Sequence, residues 1–295
     1  MHAGPTYRAV VTDLDGTIIR RDGTVSPAAL AAATELTRRG ITVIAATGRP
    51  PAGLDAVPEL ADLLALAVCS GGAIGWSPTR REMLWRHTLD PATVARLIRF
   101  TVESLPEAGV LAYDGRGWRM TPAYERVGFV PRRGPVEVVA TEAIAGPELC
   151  LISVRHPDLS SDDLLAAYRT AGIDPAPTMT PSTPYLLDIS APGVDKAAGV
   201  RTALGMLGIA PEEAVAFGDM PNDLPLFALC GHSVALANGH PEVLAAAASV
   251  TWCVEHDGLP HYLRELGLID LGHDPWSGVG CDSCAGVAAV DRSPL

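Results

Sequence analysis

The chain has 295 residues, a formal charge of −12 at pH 7, 48% apolar residues and 19% charged ones, the composition of a globular protein able to bury a large core, expected as two units. The acidic balance excludes a nucleic-acid binder, which would turn a basic face to phosphate, but leaves room for a small anionic substrate met by local cations. No N-terminal run has the pattern of a signal peptide, and the longest apolar stretch, around Leu60 to Trp76, is interrupted by Asp62, Gly71 and Gly72, so the chain reads as cytoplasmic with no membrane span.

In chain order, Ala9 to Thr12 is a short apolar strand running into Asp13-Leu14-Asp15-Gly16-Thr17. An extended strand alternates faces with period two, so Asp13 and Asp15 share one face while Leu14 enters the core. Ser26 and Pro27 have the chemistry of an N-cap and first helical residue for a helix ending at Gly40. The run Ile41 to Ala46 follows as a buried strand, ending in Thr47-Gly48-Arg49. Strand, helix and strand make a βαβ unit, hence a parallel sheet covered on both faces. A third buried strand, Leu64 to Cys69, leads into Ser70-Gly71-Gly72.

From about Arg81 the texture changes. Met83 to His87 reads as a strand, Asp90-Pro91 starts a helix, and Val110 to Tyr113 with Trp118 to Met120 flank Asp114-Gly115-Arg116-Gly117 as a hairpin. Leu149 to Val154 is another strand, a helix runs from Ser161 to Gly172, and Tyr185 to Ile189 is the last strand of this segment. Doubly wound texture then resumes: a helix from Asp195 to Leu207, the strand Ala214 to Phe217 ending in Gly218-Asp219, and strands at Ser233 to Leu236 and near Thr251. The expected fold is an α/β, doubly wound parallel-sheet core (1–80 and 190–270) with an inserted α+β domain (81–189), and 271–295 as a Gly-rich tail open to disorder.

Ligands of such sheets bind beyond the carboxyl ends of the strands. Asp13/Asp15, Thr47, Lys196 and the loop Asp219-Met220-Pro221-Asn222-Asp223 all fall there. Asn222 is the simplest cap for the next helix, because Pro225 then sits in its first turn. Four carboxylates, Asp13, Asp15, Asp219 and Asp223, cannot all ionise in one water-poor corner unassisted. An all-oxygen site of this kind suits Mg²⁺ and a phosphate partner. Lys196 adds positive charge, and the Thr47 hydroxyl with the backbone N–H groups of Thr47-Gly48-Arg49 can donate to phosphate oxygens.

Asp-Leu-Asp-Gly-Thr, Ala-Thr-Gly-Arg, the lone Lys196 and Gly-Asp-x-x-Asn-Asp resemble, in order and spacing, the four motifs of the haloacid dehalogenase-like phosphatase superfamily. The long insert between the second motif and Lys196 is similar to the cap of its Cof-type branch. The resemblance implies Asp13 as nucleophile forming an aspartyl-phosphate and Asp15 as general acid and base. It implies Mg²⁺ held by Asp13, Asp15 through its carbonyl, and Asp219, with Asp223 acting through water or by orienting Lys196. Thr47, Gly48, Arg49, Lys196 and Asn222 become the substrate and phosphate contacts, and the substrate class a small phosphorylated metabolite such as a sugar phosphate. Two positions depart from the branch: Gly71 stands where asparagine is usual and Ala197 where glycine is. The alternatives are a phosphotransferase of the mutase type and a non-catalytic sensor of phosphometabolites.

The remaining features have plainer readings. Cys69, Cys150, Cys230 and Cys253 read as thiols, not a disulfide framework. Cys281-x-x-Cys284 with His273 lacks a fourth good zinc ligand. Trp85, Trp118 and Tyr124 read as core of the insert, and Arg80-Arg81 as a solvated hinge.

Overall fold

The computed structural model of the chain describes residues 7–127, 135–146 and 148–271. The first sheet takes β1 (Ala9–Thr12), β2 (Thr42–Ala46), β3 (Leu66–Cys69), β4 (Ile74–Ser77) and β5 (Glu82–Arg86) from the first third of the chain. From the end of the chain come β12 (Ala214–Gly218), β13 (His232–Leu236) and β14 (Ser249–Thr251). The order is β14-β13-β12-β1-β2-β3-β4-β5. Pairing is parallel from β14 to β3 and antiparallel for the last two.

The central strands β1, β2, β3 and β12 are almost wholly apolar because both faces are covered. Val10, Val43, Ala45, Val215 and Phe217 pack under helices α1 (Pro27–Arg38) and α9 (Gly258–Glu265), with Leu271 against the same cluster. Their neighbours in sequence, Val11, Ile44, Ala46, Ala214 and Ala216, pack under α6 (Lys196–Leu207), α7 (Leu224–Leu229) and α8 (Pro241–Ala246). The alternation is the period of two expected of strands. Ser26 caps α1 as its chemistry requires, its Oγ accepting from the Ala29 N–H at 3.0 Å, a bond of the kind worth about 1 kcal/mol. The short helix α2 (Pro58–Ala61) completes this unit.

The second sheet is formed by β6 (Gly109–Tyr113), β7 (Trp118–Met120), β8 (Val136–Val138), β9 (Leu151–Arg155), β10 (Thr178–Thr183) and β11 (Leu186–Ser190), in the order β10-β11-β9-β6-β7-β8. All pairs are antiparallel except β7 with β8. Helices α3 (Pro91–Ser104) and α5 (Ser161–Thr170) cover one face, and α4 (Pro122–Val127) packs against β6. The hairpin between β6 and β7 is closed by Asp114, whose Oδ1 accepts from the Arg116 and Gly117 N–H groups, each at 2.8 Å.

The strand expected at the start of the insert lies elsewhere. β5 pairs with β4 and forms the edge of the first sheet, so the boundary expected at residue 81 falls inside a hairpin. Trp85 explains the placement: its ring lies on Gly75, where a Cβ would come within 2.1 Å of it, and its indole N–H donates to the Gly72 carbonyl at 3.3 Å. Trp85 is therefore packed on the first unit, whereas Trp118 and Tyr124 are buried in the second. The chain leaves the first sheet after Arg86 and returns to it after Ser190.

Cys69, Cys150 and Cys230 are free thiols, and no helix of the described residues is long and apolar enough to cross a membrane. Cys281, Cys284 and His273, with the rest of the expected tail beyond Leu271, lie outside the described residues.

Candidate active site

Four strand ends converge on one corner. Asp13 is the first residue beyond β1, Thr47 the first beyond β2, Ser70 the first beyond β3 and Asp219 the first beyond β12. Lys196 enters from the side as the first residue of α6, whose cap is Asp195: the Asp195 Oδ1 accepts from the Ala198 N–H at 2.7 Å. Gly72, at φ +108°, lets this helix end come close, since a Cβ there would lie 2.0 Å from the Asp195 carbonyl oxygen.

Lys196, 2% exposed, donates to Asp13 Oδ1 and to Asp223 Oδ1, both at 2.7 Å. Asp223 Oδ2 in turn accepts from the Asp219 N–H at 3.0 Å and the Met220 N–H at 3.1 Å. Carboxylate oxygens of Asp13, Asp219 and Asp223 can all lie within 4.8 Å of one another. Burial raises the pKa of Asp13, with Lys196 opposing and the Asp223 and Asp15 charges reinforcing. Asp219 is raised by burial and then by Asp13 and Asp223, against Lys196 and the Thr17 hydroxyl. For Lys196 burial works downward, but the two carboxylates outweigh it and hold the ammonium charged. The corner thus has an excess of acid over base that a divalent cation would balance, and its donors are all oxygen.

Two further residues hold Asp219. The Thr17 hydroxyl donates to its Oδ1 and the Asn238 amide to its Oδ2, each at 3.3 Å, and the same amide reaches the Gly16 carbonyl at 2.8 Å. Gly16, at φ +82°, must be glycine here, because a Cβ would fall 2.2 Å from Asp219 Oδ2.

Asp15 is placed differently from the strand-alternation expectation. β1 stops at Thr12, and the chain then curls so that the Leu14 carbonyl accepts from the Thr17, Ile18 and Ile19 N–H groups. Asp13 is buried while the Asp15 side chain is 58% exposed, and Arg49 grips it with two bonds, Nε to Oδ2 at 2.7 Å and Nη2 to Oδ1 at 2.6 Å. The Asp15 carboxylate is outside the acid cluster of the other three.

The Thr47-Gly48-Arg49 turn has fewer open donors than the sequence suggests. The Thr47 N–H bonds the Val68 carbonyl at 2.8 Å and the Arg49 N–H bonds Thr47 Oγ1 at 3.0 Å. That leaves the Gly48 N–H, with no backbone or side-chain acceptor among the described residues, and the Thr47 hydroxyl proton.

Asn222 does not cap α7. A 3-10 turn over Pro221–Asp223 precedes the helix, Asp223 occupies the cap position, and Asn222 Oδ1 is buried without a hydrogen-bond donor. Pro225 does lie in the first turn of α7. Ser70 Oγ is likewise buried and unsatisfied at the end of β3, beside Gly71, around which nothing lies within 4 Å of a would-be Cβ. Sequence reading passed over Thr17, Ser70, Asn238 and Asp188. Thr17 stands in the first motif itself, the available signal for it.

The model of the haloacid dehalogenase-like hydrolase family matches residues 10–263. Among relatives, the HMP-PP phosphatase of Serratia proteamaculans is 27% identical over 269 residues, 88% of this chain and 94% of that protein. A bifunctional phosphatase/peptidyl-prolyl cis-trans isomerase of Streptococcus pyogenes serotype M6 is 43% identical over 83 residues, which span 28% of this chain and 18% of that longer protein. The solved structure of a HAD subclass IIB sugar phosphatase superposes with a TM-score of 0.77 at 19% identity, over 89% of this chain and all of that one, a likeness of fold. With relatives that are phosphatases by name along its length, the protein is an enzyme of the phosphatase class, and the chain belongs to the haloacid dehalogenase-like hydrolase family.

Proposed function

We propose that the protein is a Mg²⁺-dependent phosphatase that hydrolyses small phosphorylated metabolites through an aspartyl-phosphate on Asp13. The observation that carries this reading is the environment of Asp13. It sits buried at the end of a central strand, its Oδ1 is fixed by Lys196, and its Oδ2 accepts no hydrogen bond from the described residues. An anchored carboxylate with one oxygen available is the arrangement a nucleophile needs.

Asp13 Oδ2 attacks phosphorus, the bond from phosphorus to the leaving oxygen breaks, and Asp15 supplies that oxygen's proton. Water then attacks the same phosphorus, Asp15 takes back a proton, phosphate leaves, and the Asp13 carboxylate is regenerated. For this Asp15 has to be released from Arg49. An arriving phosphate offers the guanidinium an equivalent bidentate partner, so substrate binding itself can break the Asp15–Arg49 pair. The Thr47 hydroxyl and the Gly48 N–H are the donors to phosphate oxygens.

Asp13 and Asp219 are the side chains that fit Mg²⁺, while Asp223, with both oxygens engaged by Lys196 and backbone N–H groups, serves to position them. Bound there, the cation would offset the charge of the phosphate and of the carboxylates. With metabolite esters as substrates, the cytoplasm is the compartment this reading assigns. The test is Mg²⁺-dependent phosphate release across a panel of phosphorylated metabolites, with and without an added sugar acceptor. Release to water is expected. Transfer to the acceptor would instead make it a phosphotransferase, and tight binding without turnover a sensor.

A further inference from the structure

The second sheet has two faces of unlike chemistry. Val110, Ala112, Ile152, Val154, Leu187 and Ile189 pack with α3 and α5 in one apolar cluster. Residues one step away along the same strands, Leu111, Tyr113 and Leu151, join Trp118, Met120 and Tyr124 in the cluster that also holds Ala73, Ala191 and Val194 of the first unit. This second face therefore looks toward the carboxyl ends of the first sheet. It also carries polar groups: Ser153 on β9 and Asp188 on β11 stand in direct register, with Arg155 and Ser190 two residues along the same strands.

Asp188 is 8% exposed, and its Oδ1 accepts from the Ser153 hydroxyl at 2.5 Å. Its Oδ2 lies 3.5 Å from the point a Cβ on Gly48 would occupy, so the carboxylate overhangs the middle of the turn that offers donors to phosphate. Burial pushes its pKa up to about 6, opposed by the Ser153 and Ser182 hydroxyls and by the charge of Lys196. Among the described residues it has no ion pair. A carboxylate held ionised and buried at such a place is costly; the Ser153 and Ser182 hydroxyls meet part of that cost, and a further donor at the oxygen facing Gly48 would meet more of it. A phosphate dianion has no proton to donate and would repel the carboxylate, so the donor that suits this oxygen belongs to the uncharged part of the substrate, beside the ester.

We propose that Asp188, steadied by Ser153, accepts a hydrogen bond from a hydroxyl of the leaving group, so that the enzyme selects sugar and polyol phosphates over alkyl phosphates of the same size. The inference rests on the phosphatase reading above and extends it to a selecting residue. A site that binds a substrate hydroxyl penalises the analogue lacking it, because its own polar group is then left unpaired.

The experiment compares kcat/KM of the Mg²⁺-loaded full-length enzyme for glycerol 1-phosphate, n-propyl phosphate and 3-aminopropyl phosphate, with p-nitrophenyl phosphate as a general ester. The wild type is expected to favour glycerol 1-phosphate over n-propyl phosphate by about 10- to 100-fold, the range of one hydrogen bond to a charged group. Asp188→Ala is expected to bring that ratio to within about threefold, and Ser153→Ala to lower it less. Should the alanine variant misfold, Asp188→Asn keeps the shape, loses the charge, and is expected to reduce the ratio in the same direction. A ratio unchanged in a folded variant, or a loss shared equally by both esters, overturns the proposal, as does a wild-type preference for the amino ester. If the wild type cleaves p-nitrophenyl phosphate yet does not prefer glycerol 1-phosphate, the hydroxyl subsite alone fails. If it cleaves no ester, the phosphatase reading fails.

Discussion

The corner at the strand ends of the first sheet and the surface of the second sheet that faces it solve opposite problems. In the corner, Asp13, Asp219, Asp223 and Lys196 are buried together: Lys196 bridges Asp13 and Asp223, and Asp13 and Asp223 press on Asp219 by like charge. On the facing surface Asp188 is paired with the neutral Ser153 beside a patch of apolar side chains. A change in the corner therefore reaches every charge in it, through a low-dielectric medium where such effects are large. A change on the facing surface alters only what touches it. The proposed roles divide along the same line, bond-breaking in the first region and selection in the second, and the division can be attacked by experiment.

The largest expected effect is on Asp13. Replacing it with asparagine removes the attacking oxygen but preserves shape and hydrogen-bonding capacity toward Lys196. Loss of kcat by about 10³-fold or more is expected with a far-UV circular dichroism spectrum unchanged. A folded Asp13→Asn protein with a tenth of wild-type turnover would transfer the nucleophile's role elsewhere.

Lys196→Met tests the corner as a unit. It leaves Asp13 and Asp223 buried without the cation that both contact at 2.7 Å. Stripping one partner from a buried charge network costs about 3–5 kcal/mol, read from the shift of the urea midpoint. Added Mg²⁺ is expected to recover part of that loss, because a cation in the corner does some of the electrostatic work of the ammonium. A midpoint within error of wild type would mean that Lys196 is not what balances these acids.

The parts of this corner that were legible in the sequence are those where a motif fixes a residue to a strand end. Asp13, Thr47 and Asp219 follow apolar runs directly, and Lys196 opens a helix whose cap, Asp195, precedes it. Asn238 was not legible, because its bond to the Gly16 carbonyl joins residues 222 positions apart and only the sheet order brings β13 to that side. Asp188 was hidden for the same reason, since its meaning depends on which face of the second sheet it occupies. Asp15 and Asn222 show a different limit. Asp15 lies beyond the end of β1, where strand alternation no longer holds, and at Asn222 a 3-10 turn intervenes before the helix. The sequence of β5 shows a strand but not its sheet, which is set by the ring of Trp85 lying on Gly75.

Stability against pH sharpens the comparison further, because the corner's acids should dominate it. Burial pushes Asp13 up to about 7 and Asp219 up to about 8. Between the ordinary carboxylate range near pH 4 and those values, the folded protein without metal binds more protons than the unfolded chain. Unfolding free energy then falls as pH rises, by about 1.4 kcal/mol per pH unit for each proton retained. Urea midpoints in EDTA are expected to drop from pH 5 to pH 8, and the slope to flatten in Mg²⁺, which favours the ionised acids. Midpoints that rise with pH in EDTA would show that the corner is already ionised.

The smallest expected effect on stability, and the one that separates catalysis from folding most cleanly, is at Arg49. Its fork holds Asp15, a side chain 58% exposed, and exposed ion pairs contribute about 0–1 kcal/mol. Arg49→Lys keeps the charge but not the paired N–H geometry. The midpoint is therefore expected to move by less than about 1 kcal/mol, whereas kcat/KM is expected to fall about tenfold, as one charge-assisted contact to phosphate becomes a point charge. The mechanism adds a second reading of the same variant. If Arg49 must hand Asp15 over to the leaving oxygen when phosphate arrives, lysine should weaken the grip on both partners, so that KM rises more than kcat falls. A fall confined to kcat, with KM unchanged, would mean that Arg49 serves Asp15 alone and does not meet the phosphate.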